Sequence, residues 1–220
     1  MPEPPIPKVE PYSLIEKLQK EKEVCGLYLS GHPLDDYRYE WESFAVPIEK
    51  IDGFKGRKVN LAGFVSRAEH RISQKGTGWG RFTIQDYSGS HEITLFSESY
   101  LKFKHLFEEG TCLFLSGTFQ QRYNSDEWEL KLMEVKQLAT IGAERTESVT
   151  LKINVELVNE PFLAEIERLC LQFKGKHALK MELVDLQNRL SQPFLSGKKV
   201  QADNDFRRAV LELGLEFSVN

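Results

Sequence analysis

The chain has 220 residues, 40% of them hydrophobic and 28% charged, with a formal net charge of −4. These are the proportions of an ordinary globular chain with room for two modest cores. They exclude a polybasic nucleic-acid protein, and no apolar run approaches the roughly 20 residues that a membrane-spanning helix needs.

The charge is unevenly placed. Residues 1–55 hold seven Lys/Arg against eleven Asp/Glu, whereas residues 56–140 hold eleven against ten. Any contact with nucleic acid must therefore come from a local patch, and it is expected to be weak and salt-sensitive. Cys25, Cys112 and Cys170 are odd in number and form no CxxC pair. They indicate neither zinc nor a disulfide framework and read as small apolar fillers.

Met1–Pro11 contains five prolines and no hydrophobic periodicity, which predicts an extended linker. No export signal is read there, so a cytoplasmic location is expected. Ser13 and Glu16 have the spacing of a capping box, opening a helix expected to run to about Leu29 and to stop at Gly31-His32-Pro33. His32, Asp35 and Asp36 are too poorly spaced for a metal or acid/base site and read as a turn. Tyr37, Tyr39, Trp41 and Phe44 are expected to pin that turn against the strand-rich region after it or an upstream domain.

Residues 58–138 carry the main pattern. Lys58–Val65 alternates with Val59, Leu61 and Val65 on one face, and a polar, Gly-rich stretch occupies 73–78. Trp79–Asp86 turns Phe82 and Ile84 inward, and the Ser88-Gly89-Ser90 turn makes a hairpin with His91–Phe96. Tyr100, Phe103, Lys104 and Phe107 recur at helical spacing, predicting a helix over 97–109 closed by Gly110. Thr111–Gln121 is apolar on both faces, as suits a central strand, and Glu127–Leu138 turns Trp128, Leu130 and Leu132 inward. Three strands, a helix and two strands is the order of an OB fold, a five-stranded barrel that binds its ligand across strands two and three and the loops after strands one and four.

A polar linker is expected at 144–148, then a strand over 149–157 and a helix opened by Asn159-Glu160-Pro161 and ended by Gly175. A strand over 178–186, one or two short strands over 190–200, and a last helix over 206–213 capped by Asp203-Asn204-Asp205 complete a small α+β unit. The predicted architecture is thus mainly β with α+β. A lead segment with a helix (1–52) precedes an OB barrel (53–143), and a small α+β domain (144–220) comes last.

Single-stranded nucleic acid needs cations for its phosphates and flat groups for its bases. The loop after strand one offers Arg67, His70, Arg71 and Lys75. Arg81 and Thr83 face outward on strand two, Phe96 on strand three, and Arg122 and Tyr123 come after strand four. Residues Arg67, Arg71, Lys75, Arg81, Thr83, Phe96, Arg122 and Tyr123 are the candidate nucleic-acid-binding set. Leu213, Leu215 and Phe217 read as an exposed apolar end that offers a docking edge.

The stretch 21–37, with Gly26-Leu27-Tyr28-Leu29-Ser30-Gly31-His32-Pro33-Leu34, resembles the phrase that precedes the OB domain in the alpha subunit of bacterial DNA polymerase III. Leu61-Ala62-Gly63-Phe64-Val65, Lys75-Gly76 and Gln85-Asp86-Tyr87-Ser88-Gly89-Ser90-His91-Glu92-Ile93 are similar to the same family. The likeness covers residues 10–140 well and 146–220 by position alone. Arg81 departs from the family, which more often has an apolar or aromatic residue there.

The resemblance implies that the chain binds single-stranded template DNA and that 146–220 meets the tau subunit of the clamp loader. It further implies other replisome subunits as partners through an upstream region, and no membrane partner. Polymerase chemistry in that family uses acidic residues that hold magnesium. No such motif is found here, so no cofactor and no catalysis are expected of this chain. Nor is the family's clamp-binding motif found in residues 1–12. The alternative is a protein-interaction OB module that does not contact DNA. A tRNA-binding barrel of the synthetase type is disfavoured because too few residues come after it.

Overall fold

A computed structural model describes Tyr12 and residues 14–26, 28–74, 76–122 and 125–220. The Met1–Pro11 linker, the Ser13 cap, Lys75, Tyr123 and Asn124 lie outside the described residues. Helix α1 spans Leu14–Cys25 and ends earlier than the periodicity suggests. Gly26 takes φ +74°, a left-handed exit, and the Glu21 carboxylate then accepts from the backbone N–H groups of Leu29 and Ser30 at 2.8 Å each. Cys25 is exposed and so is no filler, whereas Cys112 and Cys170 are buried.

Strands β1 (Lys58–Ile72), β2 (Gly78–Gln85), β3 (Ser90–Phe96), β4 (Cys112–Gln121) and β5 (Trp128–Gln137) form one antiparallel sheet in the order β3-β2-β1-β4-β5. The sheet curls until His91 of β3 stands edge-on to Phe119 of β4, 6.0 Å between centroids. This is the OB barrel that the element order predicts. Leu61, Val65, Phe82, Ile84, Leu113 and Leu115 fill its interior, each fully or almost fully buried.

The helix between β3 and β4 is shorter than expected. Helix α3 covers Ser97–Phe103 and tightens into a 3-10 turn at Lys104–Leu106, which leaves Phe107 buried against Phe82 at 4.5 Å. Gly110, at φ +85°, comes four residues after this turn and donates its N–H to Val65.

Strands β1 and β4 are apolar on both faces because both faces are covered. Ala62, Phe64, Cys112 and Phe114 point out of the barrel and pack on Leu34, Leu138 and Ile141. The last two belong to α4 (Leu138–Arg145), a helix where the sequence suggested the end of a strand and a linker. Asp86 ties the preceding segment to the barrel. Its buried carboxylate accepts from Ile48 N–H (2.9 Å), Trp41 Nε1 (3.2 Å), Ser88 N–H and Oγ, and Gly89 N–H. A buried carboxylate so fully satisfied orders the turn and the barrel together.

The second sheet is mixed, in the order β8-β7-β6-β9, from β6 (Ser148–Asn154), β7 (Lys174–Asp185), β8 (Leu190–Val200) and β9 (Glu216–Val219). The first of these ends at Asn154, and Val155–Leu157 is a 3-10 turn rather than strand. Helix α5 (Glu160–Gln172) is capped by Asn159 with Pro161 in its first turn, and α6 (Asn204–Glu212) is capped by Asp203. Gly175 lies inside β7 and does not end α5. A Cβ there would stand 2.4 Å from the Gln201 backbone nitrogen, so two backbones meet at this point.

Leu215 is 2% exposed, and Leu213 and Phe217 pack on the same core. Strand β9, the outer strand of this sheet, pairs with β6 and turns Phe217 onto Tyr39, so these apolar side chains face the core rather than solvent. The exposed apolar end expected of Leu213, Leu215 and Phe217 is thus packed inward, Leu215 fully and the other two in part.

Candidate nucleic-acid interface

A single irregularity in β1 builds the candidate site. Up to Val65, odd-numbered residues point into the barrel. The register then slips between Val65 and Arg67, a bulge at Ser66. Beyond it the parity reverses: Ala68 pairs with buried Phe82, and Arg67, Glu69 and Arg71 come to the outer face. These residues are strand, not loop, since β1 and β2 stay paired out to Ile72 and Gly78.

The register sets three rows across β1, β2 and β3 on that face. Arg67 lies opposite Thr83, which lies opposite Glu92; Glu69, Arg81 and Thr94 form the next row; Arg71, Trp79 and Phe96 form the third. In the third row the Trp79 and Phe96 rings stack with centroids 5.8 Å apart and planes 24° from parallel. The Arg71 guanidinium stands 5.6 Å over Trp79, and Arg122, from the connection after β4, stands 5.8 Å over Phe96. Phe96 is 46% exposed. The result is an open array of two aromatic rings between two guanidinium groups, a geometry that favours both cation–π contact and base stacking.

Carboxylates temper the positive charge. Glu69 takes Arg67 at 2.5 Å on one oxygen and Arg71 at 2.8 Å on the other. Arg81 sits 3.4 Å from Glu92, and Arg122 the same distance from Glu127. These are exposed pairs of the kind that contribute about 0–1 kcal/mol each, so an arriving phosphate can exchange with them.

Six predicted residues therefore lie together: Arg67, Arg71, Arg81, Thr83, Phe96 and Arg122. Lys75 and Tyr123 lie outside the described residues. His70 points the other way, its Nδ1 3.1 Å from the Tyr100 hydroxyl and its ring against Phe82. Trp79 is the residue that sequence reasoning missed. Its signal was available, because it stands two residues before Arg81 on an alternating strand and so shares the outward face.

The His32 turn is structural. Asp35 accepts from His32 N–H and from the Tyr87 hydroxyl, and the His32 ring stacks on Tyr87 at 4.2 Å. Burial lowers the His32 pKa. Among the described residues, no group of three or more His, Cys, Asp or Glu is placed to hold a metal ion.

Comparison with known proteins agrees with this frame. Residues 59–138 match the family model described as OB-fold nucleic acid binding domain. The DNA polymerase III subunit alpha of Halalkalibacterium halodurans is 32% identical over 167 residues, 76% of this chain and 14% of that protein. The chain is homologous to a segment of the DNA polymerase III alpha subunit. The alpha subunit of Pseudomonas aeruginosa matches at 26% identity over 205 residues, 92% of this chain and 17% of that protein. The chain thus spans less than a fifth of the length of these alpha subunits. Among solved structures, the second OB-fold domain of replication protein A from Methanococcus maripaludis aligns at TM-score 0.28 and 16% identity, covering 38% of this chain and 85% of that one. The likeness to alpha subunits extends past the barrel into the second sheet, since 92% of the chain is covered in one alignment. No helix among the described residues is long and apolar enough to cross a membrane.

Proposed function

We propose that the barrel binds single-stranded template DNA in replication, across the outer face of β1, β2 and β3. The observation that carries this reading is the Arg71–Trp79–Phe96–Arg122 array on the same face as Arg67 and Arg81. Guanidinium groups bind phosphate, open rings stack bases, and neither reads sequence, so the site takes a strand of any composition. Near-neutral local charge makes the binding weak and dependent on ionic strength.

On this reading the segment is non-catalytic and lies in the cytoplasm, and the chemistry and magnesium of a polymerase reside on other residues. Its role is positional: guiding the template and, through residues 144–220, coupling to the tau subunit of the clamp loader.

Fluorescence anisotropy of a labelled oligonucleotide across a salt series tests the DNA contact. The logarithm of affinity is expected to fall with the logarithm of salt, and Arg67→Ala/Arg71→Ala is expected to flatten that slope by about 0.7 for each phosphate no longer neutralised. Size-exclusion chromatography with the tau subunit tests the second contact.

The partnering of every arginine on this face by a carboxylate favours one other reading, a protein-interaction barrel. Absence of DNA binding at low salt with intact tau binding selects it.

A further inference from the structure

The arginines of the barrel face do not stand free. Arg67, Arg71, Arg81 and Arg122 are met by three carboxylates, Glu69, Glu92 and Glu127. Glu69 is the most deeply set of the three, its side chain 21% exposed against 54% for Glu92 and 74% for Glu127. It lies between Arg67 and Arg71 on β1 and directly opposite Arg81 on β2, so it has three arginines as neighbours on one face.

Stability does not explain this arrangement. Exposed pairs add little to folding, and β1 and β2 are already held by a backbone ladder that runs out to Ile72 and Gly78. What the carboxylates change is the field in front of the face, where three of four positive charges are offset. The stacked Trp79 and Phe96 rings carry no charge for a carboxylate to offset.

These two components do not serve the two forms of DNA alike. A duplex keeps its bases stacked inside and meets a sheet face with its phosphates. A single strand brings phosphates and bases together, and each base laid on a ring tightens binding roughly 5- to 150-fold. Rings set among offset arginines therefore keep most of their hold on a single strand and lose most of it on a duplex. Selectivity arises here by weakening the contact with the wrong partner.

We propose that Glu69, Glu92 and Glu127 are specificity-determining residues that keep duplex DNA off this face while the Trp79–Phe96 pair holds a single strand. The inference rests on the DNA-binding reading above and adds to it the form of DNA that the face refuses. Its size follows from counterion release. Each phosphate neutralised contributes about 0.9 to the salt slope on a duplex and about 0.7 on a single strand. At about 0.1 M salt, freeing three positive charges therefore strengthens duplex binding about fourfold more than single-strand binding.

Fluorescence anisotropy of the full chain tests this, with a labelled oligothymidylate and a blunt-ended duplex as probes at the same salt concentration. Wild type should bind the single strand about tenfold more tightly, or better. In Glu69→Gln/Glu92→Gln/Glu127→Gln both affinities should rise, and the preference for single strand should narrow about fourfold. Glu69→Gln should account for the largest share of any single change. Glu160→Gln/Glu165→Gln/Glu212→Gln removes three exposed carboxylates from α5 and α6, alters the net charge equally, and should leave the preference unchanged. The inference is overturned by wild-type binding of duplex as tight as of single strand, by an unchanged preference in the barrel variant, or by equal narrowing in the remote variant. Each of those results leaves the barrel a DNA-binding module. Binding of neither probe at low salt, by wild type or variant, overturns the DNA reading and this inference with it, and selects the protein-interaction barrel.

Discussion

Glu69→Gln isolates the electrostatics of the barrel face. The Glu69 carboxylate holds Arg67 and Arg71 together, at 2.5 and 2.8 Å, with its own side chain 21% exposed. Each such pair contributes about 0.2–1 kcal/mol, so the two together cost DNA about 0.4–2 kcal/mol to displace. At about 1.4 kcal/mol per tenfold, the neutral amide should tighten single-strand binding about 2- to 25-fold. The salt dependence should also steepen, because guanidinium groups that were internally neutralised would now release counterions through phosphate. Stability should move in the opposite sense, falling by no more than about 2 kcal/mol. Anisotropy at several salt concentrations, with a urea titration alongside, measures all three quantities. An affinity and a slope both unchanged in Glu69→Gln would refute the path over this face, since no strand could cross Arg67 and Arg71 without meeting that carboxylate.

Three further perturbations have definite expected outcomes. Trp79→Ala should weaken single-strand binding by about 1–3 kcal/mol, roughly 5- to 150-fold, and quench the change in intrinsic fluorescence on binding; a weaker affinity without sequence preference is the expected pattern. Glu40, with its folded pKa near 7 against an unfolded value near 4.5, stays protonated in the native state after the unfolded chain has ionised. Its contribution, about 3 kcal/mol at most, is present below pH 4.5 and is lost as pH rises to 7, so urea midpoints of Glu40→Gln should exceed wild type increasingly toward pH 8. Leu215→Ala should cost about 2–5 kcal/mol in chemical denaturation, as a core leucine does, whereas a docking-edge leucine would change partner binding at unchanged stability.

The barrel was legible because its alternation is local: Phe82 and Ile84, or Ile93 and Leu95, declare their faces within one strand. What was hidden depended on register. Nothing in Val65-Ser66-Arg67 announces a bulge, yet without it the odd-numbered arginines would point into the core. The same slip converts an apparent loop into strand and turns His70 away from the arginines. Helix α4 was missed because Leu138 and Ile141 supply only one turn's spacing and Gly142 is a poor helix former. The clue lay elsewhere, in the outward apolar pair Phe64 and Phe114, which needed a cover. Leu213, Leu215 and Phe217 looked like an exposed end because β9 finds its partner β6 more than 60 residues earlier, a separation that periodicity does not register.

Helix α2 (Arg38–Phe44) has a consequence for how the molecule responds to force and heat. Tyr39 donates to or accepts from Thr146 at 2.7 Å and stacks on Phe217 of the second sheet, while Trp41, two residues on, donates to Asp86 of the barrel. Glu42 adds a bidentate bond to Arg207 at 2.7 Å on both nitrogens. One seven-residue helix is thus rooted in two cores, as a rivet is in two plates. Melting either sheet strips the helix of half its anchors, so the two halves should lose structure in one calorimetric transition, and cutting the backbone between them near residue 146 should leave them clasped.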